Sequence, residues 1–158
     1  IVLGSAGEDS DLADEVLEYE EEEIDPELQE RIEELVEELQ RQKSRYRVRA
    51  ERHLKAIGAP AIRYLLPVVK HEKDLTRVAI MRLFHTFGDD RVVQPCIDAL
   101  LDTIEHVRDH SIKALKKITG EDFGYYPHAS PRRREQAQTK WQTWWRKELK
   151  ELATHRER

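Results

Sequence analysis

The sequence predicts an all-α fold, a short stack of antiparallel helix pairs. Only six glycines and six prolines occur in 158 residues, which leaves little room for a turn-dense all-β fold. Apolar residues recur at helical spacing between charged ones. A pattern of about 30 residues also repeats along the chain. We therefore expect one helical domain over residues 26–158, preceded by an acidic arm over residues 1–25 and closed by an aromatic helix.

Charge is distributed very unevenly along the chain. The first 40 residues contain 17 acidic side chains and one basic side chain, Arg31, for a net charge of −16, whereas residues 41–158 carry a net charge of +11. The run EYEEEE at 18–23 is the densest acidic segment, and like charges this close repel. We expect the arm over 1–25 to be extended, without an independent fold. Four apolar side chains could still dock it onto another surface: Leu12, Val16, Leu17 and Ile24.

The first six residues, IVLGSA, resemble the end of a signal peptide, because apolar residues precede small residues at Gly4 and Ala6. The alternative is that the chain is a domain of a longer protein. The pattern slightly favours export over a cytoplasmic location. The single cysteine, Cys96, excludes an intrachain disulfide and is neutral about compartment. No apolar run approaches the roughly 20 residues that a membrane-spanning helix needs.

A long helix is predicted over residues 26–43. Asp25 is a favourable N-cap, and Pro26 suits the first position of a helix. The acidic residues that follow suit the positive end of the helix dipole. One apolar stripe runs along this helix: Leu28, Ile32, Leu35, Val36 and Leu39.

Three segments further along the chain share one pattern. They are YRVRAERHLKAIG at 46–58, TRVAIMRLFHTFG at 76–88 and VRDHSIKALKKITG at 107–120. Each has an arginine near its start, small or apolar residues at helical spacing and a glycine at its end. The matching apolar residues lie 30 and 31 residues apart: Leu54, Phe84 and Leu115, then Ile57, Phe87 and Ile118. The closing glycines are predicted to form left-handed C-caps: Gly58, Gly88 and Gly120.

Two further apolar helices are predicted between these segments, at 59–71 and 90–102. Pro67 and Pro95 should bend them or end them a turn early, because proline removes a backbone donor. The repeated unit is therefore a helix, a glycine turn and a second helix. Neither helix can bury its apolar stripe alone, so stacked units would share one core as an α-solenoid.

Two segments carry a family resemblance: GAPAIRYLLPVV at 58–69 and VRDHSIKALKKITG at 107–120. They resemble the HEAT-like repeats of bacterial proteins, including those related to bilin lyases (the PBS-lyase type), over about residues 45–120. Residues 119–147 look like the closing segment of some bacterial HEAT-repeat proteins, in which a TG-x-x-FGY turn leads to a helix with a Trp-x-x-Trp-Trp pattern. The resemblance implies a short HEAT-like α-solenoid.

Asp122-Phe123-Gly124 matches the tripeptide with which protein kinases hold magnesium. The sequence lacks the glycine-rich loop, strand lysine and His-Arg-Asp loop that a kinase also needs. We interpret the tripeptide as a turn, with Phe123 and either Tyr125 or Tyr126 packed beneath it.

Ser130 and Pro131 then predict the start of a helix over 131–150. Trp141 and Trp145 share one face of this helix, with Trp144 beside them. We expect the tryptophans to close the core of the last repeat. The alternative is an aromatic anchor for a partner, since tryptophan is enriched at binding hot spots.

A basic run joins the long helix to the first repeat: Arg41, Lys43, Arg45, Arg47, Arg49 and Arg52. These side chains cannot all share one helix face. Three interpretations are open: a solvated helix with i,i+4 pairs, docking of the acidic run at 18–23 on the chain's own basic body, and binding of an external polyanion or acidic partner. A second basic cluster, Arg132 to Arg134, lies where positive charge opposes the helix dipole.

His106 and His110 are four residues apart, a spacing that metal sites use, but a third ligand is wanted. Asp102 lies four residues before His106, across a predicted turn. Cys96 lies within an apolar helix, which favours a core position over a nucleophile. We predict no metal site, no cofactor and no catalytic residue.

The predicted function is non-catalytic protein–protein interaction, as a scaffold or assembly factor that docks on a larger protein or enzyme complex. The acidic arm would wrap the partner or the chain's own basic body. One alternative is nucleic-acid binding by a basic face, which the arm's own charge disfavours; the other is a bilin-lyase-like chaperone, which rests on the resemblance alone. The candidate partner-binding residues are Arg45, Arg47, Arg49, Arg52, Tyr125, Tyr126, Arg132, Arg133, Trp144, Glu20, Glu21 and Glu22.

Overall fold

The computed structural model describes residues 6–17 and 23–156. All regular structure in this part of the chain is helical, which confirms the all-α prediction. Its α-helices are α1 (Ala6–Val16), α2 (Pro26–Leu39), α3 (Ser44–Ile57), α4 (Ile62–Leu65), α5 (Asp74–Phe87), α6 (Val93–Ala99), α7 (Glu105–Thr119) and α8 (Pro131–Arg156). Short 3₁₀ helices flank α4 and α6: Ala59–Ala61, Leu66–Val68 and Asp90–Val92.

Helix α2 begins where the sequence predicts and ends earlier. The Asp25 side chain accepts a hydrogen bond from the backbone N–H of Glu27 at 3.1 Å, and Pro26 is the first helical residue. The helix ends at Leu39 rather than at residue 43. Side chains from later in the chain bond the carbonyl oxygens of residues 39–42, namely those of Arg47, Lys73 and Thr76.

The repeated pattern has a direct counterpart in the packing. Leu54, Phe84 and Leu115 are fully buried, and Ile57, Phe87 and Ile118 are partly buried against the same core. These residues recur because each occupies the same position on the inward face of its helix. One apolar cluster joins α1 to α8.

The closing glycines do not all have the predicted geometry. Gly88 and Gly120 are left-handed, with φ of 63° and 73°, as predicted. Gly58 also has a positive φ, 83°, but its ψ is −145°, so the prediction of a left-handed cap is wrong there. That backbone conformation is essentially restricted to glycine. It turns the chain directly into the 3₁₀ helix Ala59–Ala61.

The proline-containing helices are shorter than predicted over 59–71 and 90–102. Helix α4 ends at Leu65, and Pro67 lies in the 3₁₀ helix that follows. Pro95 lies in the first turn of α6, where a missing N–H is tolerated, and α6 ends at Ala99. Both prolines therefore help to keep these helices short.

Helix α5 is the centre of the packing. It contacts both α3 and α7, so the helices of the three repeated segments lie side by side with α5 in the middle. Helix α2 packs on α3 and α4, and α6 packs on α7 and α8. Half of the side chains of α5 are themselves buried: Thr76, Val78, Ala79, Ile80, Met81, Leu83 and Phe84.

Residues 6–16 form helix α1, which corrects the prediction of an extended arm. Ala13 and Val16 are buried, and Leu12 and Leu17 pack beside them. Helix α1 packs on α6 and α8. The apolar residues at 12, 13, 16 and 17 form one face of a helix, and their burial outweighs the repulsion between acidic side chains.

The Asp122-Phe123-Gly124 segment is a turn, as predicted. The backbone N–H of Gly124 donates to Asp122 Oδ1 at 2.9 Å, and this bond holds the pKa of Asp122 below its ordinary value. Phe123 packs edge-to-face on Trp141, with ring centroids 4.7 Å apart. Tyr125 is buried and donates its hydroxyl hydrogen to the carbonyl of Leu100, whereas Tyr126 is 62% exposed. Burial raises the pKa of Tyr125 to about 12.

Helix α8 begins at Pro131 as predicted and extends six residues beyond the predicted end, to Arg156. Trp141 and Trp145 are buried on its inner face. Trp144 is half-buried and packs on both of them and on Phe123. The aromatic helix therefore closes the core around α6, against which it packs. Within residues 6–17 and 23–156, every helix is too short or too polar to span a bilayer.

Candidate partner-binding surface

The outer surface of α3 carries three of the predicted binding residues. Arg45, Arg49 and Arg52 are exposed, and they lie on the same side of the helix as Val48, which is 63% exposed. Arg45 lies over the ring of Tyr46, 4.9 Å from its centroid. Arg49 forms an ion pair with Glu38 of α2 at 3.3 Å. This face is therefore basic with an apolar residue at its centre.

Arg47 differs from the other three in its surroundings. It is half-buried, and its guanidinium donates to the carbonyl oxygens of Arg41 (2.9 Å) and Gln42. It thus satisfies backbone groups left unpaired after α2. The alternating arginines of the run do point in different directions, and Arg47 is the one that bonds the backbone after α2.

The same arrangement occurs in the two later repeats. Arg77 donates to the carbonyl oxygens of His71 (2.9 Å) and Glu72 (3.1 Å). Arg108, only 8% exposed, donates to those of Asp102 and Pro127, both at 2.8 Å. We call Arg47, Arg77 and Arg108 the inner arginines. The arginine near the start of each repeated segment was a visible signal for them, but sequence reasoning gave Arg47 a role in partner binding and gave Arg77 and Arg108 no role.

Asp102 connects two of the inner arginines. Its carboxylate accepts two hydrogen bonds from Arg77, at 2.9 and 3.1 Å, and one from the backbone N–H of Ile104. Its backbone carbonyl accepts from Arg108. The carboxylate that we considered as a partner for His106 is thus already bonded by a guanidinium. Among the described residues, no three His, Cys, Asp or Glu side chains are placed to hold a metal ion.

A second set of basic residues recurs on the outer surface. Arg52 of α3, Arg82 of α5 and Lys113 of α7 are all exposed, and they are 30 and 31 residues apart. We call these three residues the outer row. Arg82 forms a two-point ion pair with Glu51 of α3, at 2.6 and 2.9 Å. Lys113 bonds Asp109 at 2.8 Å. Sequence reasoning identified only Arg52 of this row.

Two histidines lie beside the outer row. Burial lowers the pKa of His85, and the charges of Lys117 and Lys113 lower it further. Burial and the charge of Arg82 lower the pKa of His110. Asp109 opposes both shifts without reversing them. These shared neighbours place α5 and α7 side chains in one electrostatic environment.

The remaining candidates fall into two other places. Tyr126, Arg132 and Arg133 are exposed near the start of α8, whereas Tyr125 is buried and Trp144 is half-buried in the aromatic cluster. Tyr125 is therefore inaccessible to a partner in this structure. The three acidic candidates, Glu20, Glu21 and Glu22, lie outside the described residues, so the proposed docking of that segment has no structural description.

Cys96 has the environment of a core residue. It is fully buried, its Sγ lies 4.0 Å from the Met81 sulfur, and burial raises the pKa of its thiol far above the ordinary value. A thiol that stays protonated is a poor nucleophile.

Comparison with protein-family models, with curated proteins and with solved structures finds no match to this chain.

Proposed function

We propose that this chain is a non-catalytic protein-interaction module, a scaffold or assembly factor that docks on a larger protein complex. Its framework is proposed to be a short HEAT-like solenoid of antiparallel helix pairs. The observation that carries the proposal is the contrast within each repeat. Inner arginines bond backbone carbonyls, while equivalent outer positions of α3, α5 and α7 present exposed charged side chains.

A surface of this kind suits recognition more than chemistry. Its charges lie on the exposed faces of packed helices, so their positions are set by the core beneath them. Val48 and Leu75 add exposed apolar area, 63% and 54% exposed, beside the charges. Mixed apolar and charged surfaces are typical of protein interfaces.

The test is affinity purification of the tagged full chain from its source, followed by mass spectrometry. We expect a protein partner at near-stoichiometric amounts. Recovery of no protein above a tag-only control, together with turnover of a substrate by the purified chain, would contradict the proposal.

Nucleic-acid binding remains the second candidate because the outer row is basic. A gel shift at two salt concentrations tests it, since phosphate contacts weaken steeply with salt. Deleting residues 1–25 would uncover the surface of α6 and α8 on which α1 packs. The better variant keeps the full chain and replaces Glu20, Glu21 and Glu22 with glutamine. If this variant does not shift the mobility of the nucleic acid, the nucleic-acid-binding hypothesis is excluded.

A further inference from the structure

The outer row has a feature that ordinary helix electrostatics does not explain. Lysine, arginine and histidine are favoured in the last turn of a helix, where they face the negative end of its dipole. Lys55, His85, Lys116 and Lys117 occupy such positions. Arg52, Arg82 and Lys113 lie further inside their helices, so the dipole does not account for their recurrence.

The row is contiguous across three helices. The Glu51–Arg82 ion pair connects α3 to α5. Lys117 of α7 donates to the carbonyl oxygens of His85 (2.8 Å) and Thr86 (3.2 Å), which connects α5 to α7. Glu51 fixes the direction of the Arg82 guanidinium and also raises its pKa, so the arginine stays charged. Basic side chains outnumber acidic ones around the row: Arg52, Lys55, Arg82, Lys113, Lys116 and Lys117 against Glu51, Asp109 and Asp122.

We propose that the outer row, Arg52, Arg82 and Lys113, binds an extended acidic segment of a partner protein. The proposal rests on the proposed function and names the chemistry of the partner. A chain in the extended polyproline II conformation has three residues per turn and rises about 3.1 Å per residue, so carboxylates three residues apart lie on one face, about 9 Å apart. Packed helices are about 8–10 Å apart, which is the spacing expected between successive members of the row.

Two observations favour a peptide over a nucleic acid. Glu51 and Asp109 are paired with Arg82 and Lys113 and would repel a continuous line of phosphates. Separate carboxylates on a peptide can avoid them. Val48 and Leu75 are exposed one to two turns nearer the helix N-termini and can contact apolar side chains of the segment. Phosphate backbones offer no such contact.

The test uses the full chain and a labelled peptide of about ten residues with glutamate at every third position, the repeat of one polyproline II turn, and leucine between. We expect saturable binding in fluorescence anisotropy that weakens as salt is added. Arg52→Glu with Lys113→Glu should weaken it at least about tenfold, which is about 1.4 kcal/mol. The matched control is Lys147→Glu with Lys150→Glu, exposed on α8, which makes the same charge change and should keep affinity within about twofold.

Several results would overturn the inference. They are absence of peptide binding, equal loss in both variants, equal affinity for a glutamine peptide, or tighter binding of a single-stranded oligonucleotide that displaces the peptide. Self-association that the row variant abolishes would identify a second copy as the occupant and also overturn it. Matching circular dichroism of both variants shows that they are folded. If the row variant still retains the natural protein partner, the proposed function stands and only this inference fails.

Discussion

Two sets of basic residues recur with the same spacing and have different roles. The inner arginines bond backbone carbonyls, and the outer row, five residues later in each repeat, is exposed. Five residues along an α-helix rotate the side chain by about 140° around the axis. That rotation moves the position from the packed side to the solvent side. The position of a basic residue around the helix axis, rather than its type, therefore decides whether its side chain stabilises the fold or is exposed to a partner.

The largest expected effect is at the most buried inner arginine. Arg108→Ala should lower the free energy of unfolding by about 3 kcal/mol, because two buried carbonyl groups lose a charged donor. Urea unfolding of the variant and of Lys113→Ala measures the contrast. A loss at Lys113 as large as that at Arg108 would break the distinction between the two sets.

Arg77→Ala should cost about 2 kcal/mol, because its bonds to Asp102 and to two carbonyls are less completely buried. Asp102→Ala tests the shared part of this network. A double-mutant cycle should show a coupling of about 1 kcal/mol or more between the two residues. Additive losses would mean that Arg77 acts through the carbonyls alone.

The outer ion pair should contribute much less. Arg82 and Glu51 are 45% and 21% exposed, so a double-mutant cycle should give a coupling of about 0.5 kcal/mol that falls at high salt. Thermal unfolding at two salt concentrations measures it. A coupling equal to that of Arg77 and Asp102 would show that the outer row also holds the fold together.

The smallest effect concerns pH. The folded-state pKa values of His85 and His110 are lowered, so the unfolded state binds more protons. Their contribution is complete above the ordinary pKa of 6.5 and is lost as the pH falls toward the folded-state values. His110→Gln should reduce the loss of stability between about pH 6.5 and 5.5. The charged neighbours of the two histidines (Arg82, Lys113, Lys117 and Asp109) are unchanged in this variant.

Local signals were sufficient for much of the fold. Asp25 with Pro26 and Ser130 with Pro131 marked helix starts, because caps are decided by nearby atoms. The repeated apolar residues marked the core because their helical spacing places them on one face of each helix. The structure of α1 was missed because its stability depends on α6 and α8, which are distant in sequence. Gly58 was missed because the next residues, not the helix, determine how the chain leaves it.

The candidate surface was predicted only in part. Arg45, Arg49 and Arg52 were identified because they are close in sequence, whereas Arg82 and Lys113 belong to the same surface through packing. Arg47 and Tyr125 were predicted to bind a partner, and in the structure each bonds a backbone carbonyl of the chain itself. The sequence shows that a side chain is polar. It does not show whether that side chain bonds another part of the same chain or a separate molecule.

The sequence by itself determined the helical content, the repeat length and the division between an acidic start and a basic body. These properties follow from residue spacing and composition, which act over a few residues. Tertiary structure alone decided which of two arginines, five positions apart, faces a carbonyl and which faces solvent. It also decided that α1 packs on α6 and α8, which are distant from it in the sequence. Both outcomes depend on which helix surfaces are buried against each other, and that is decided only when the whole chain is packed.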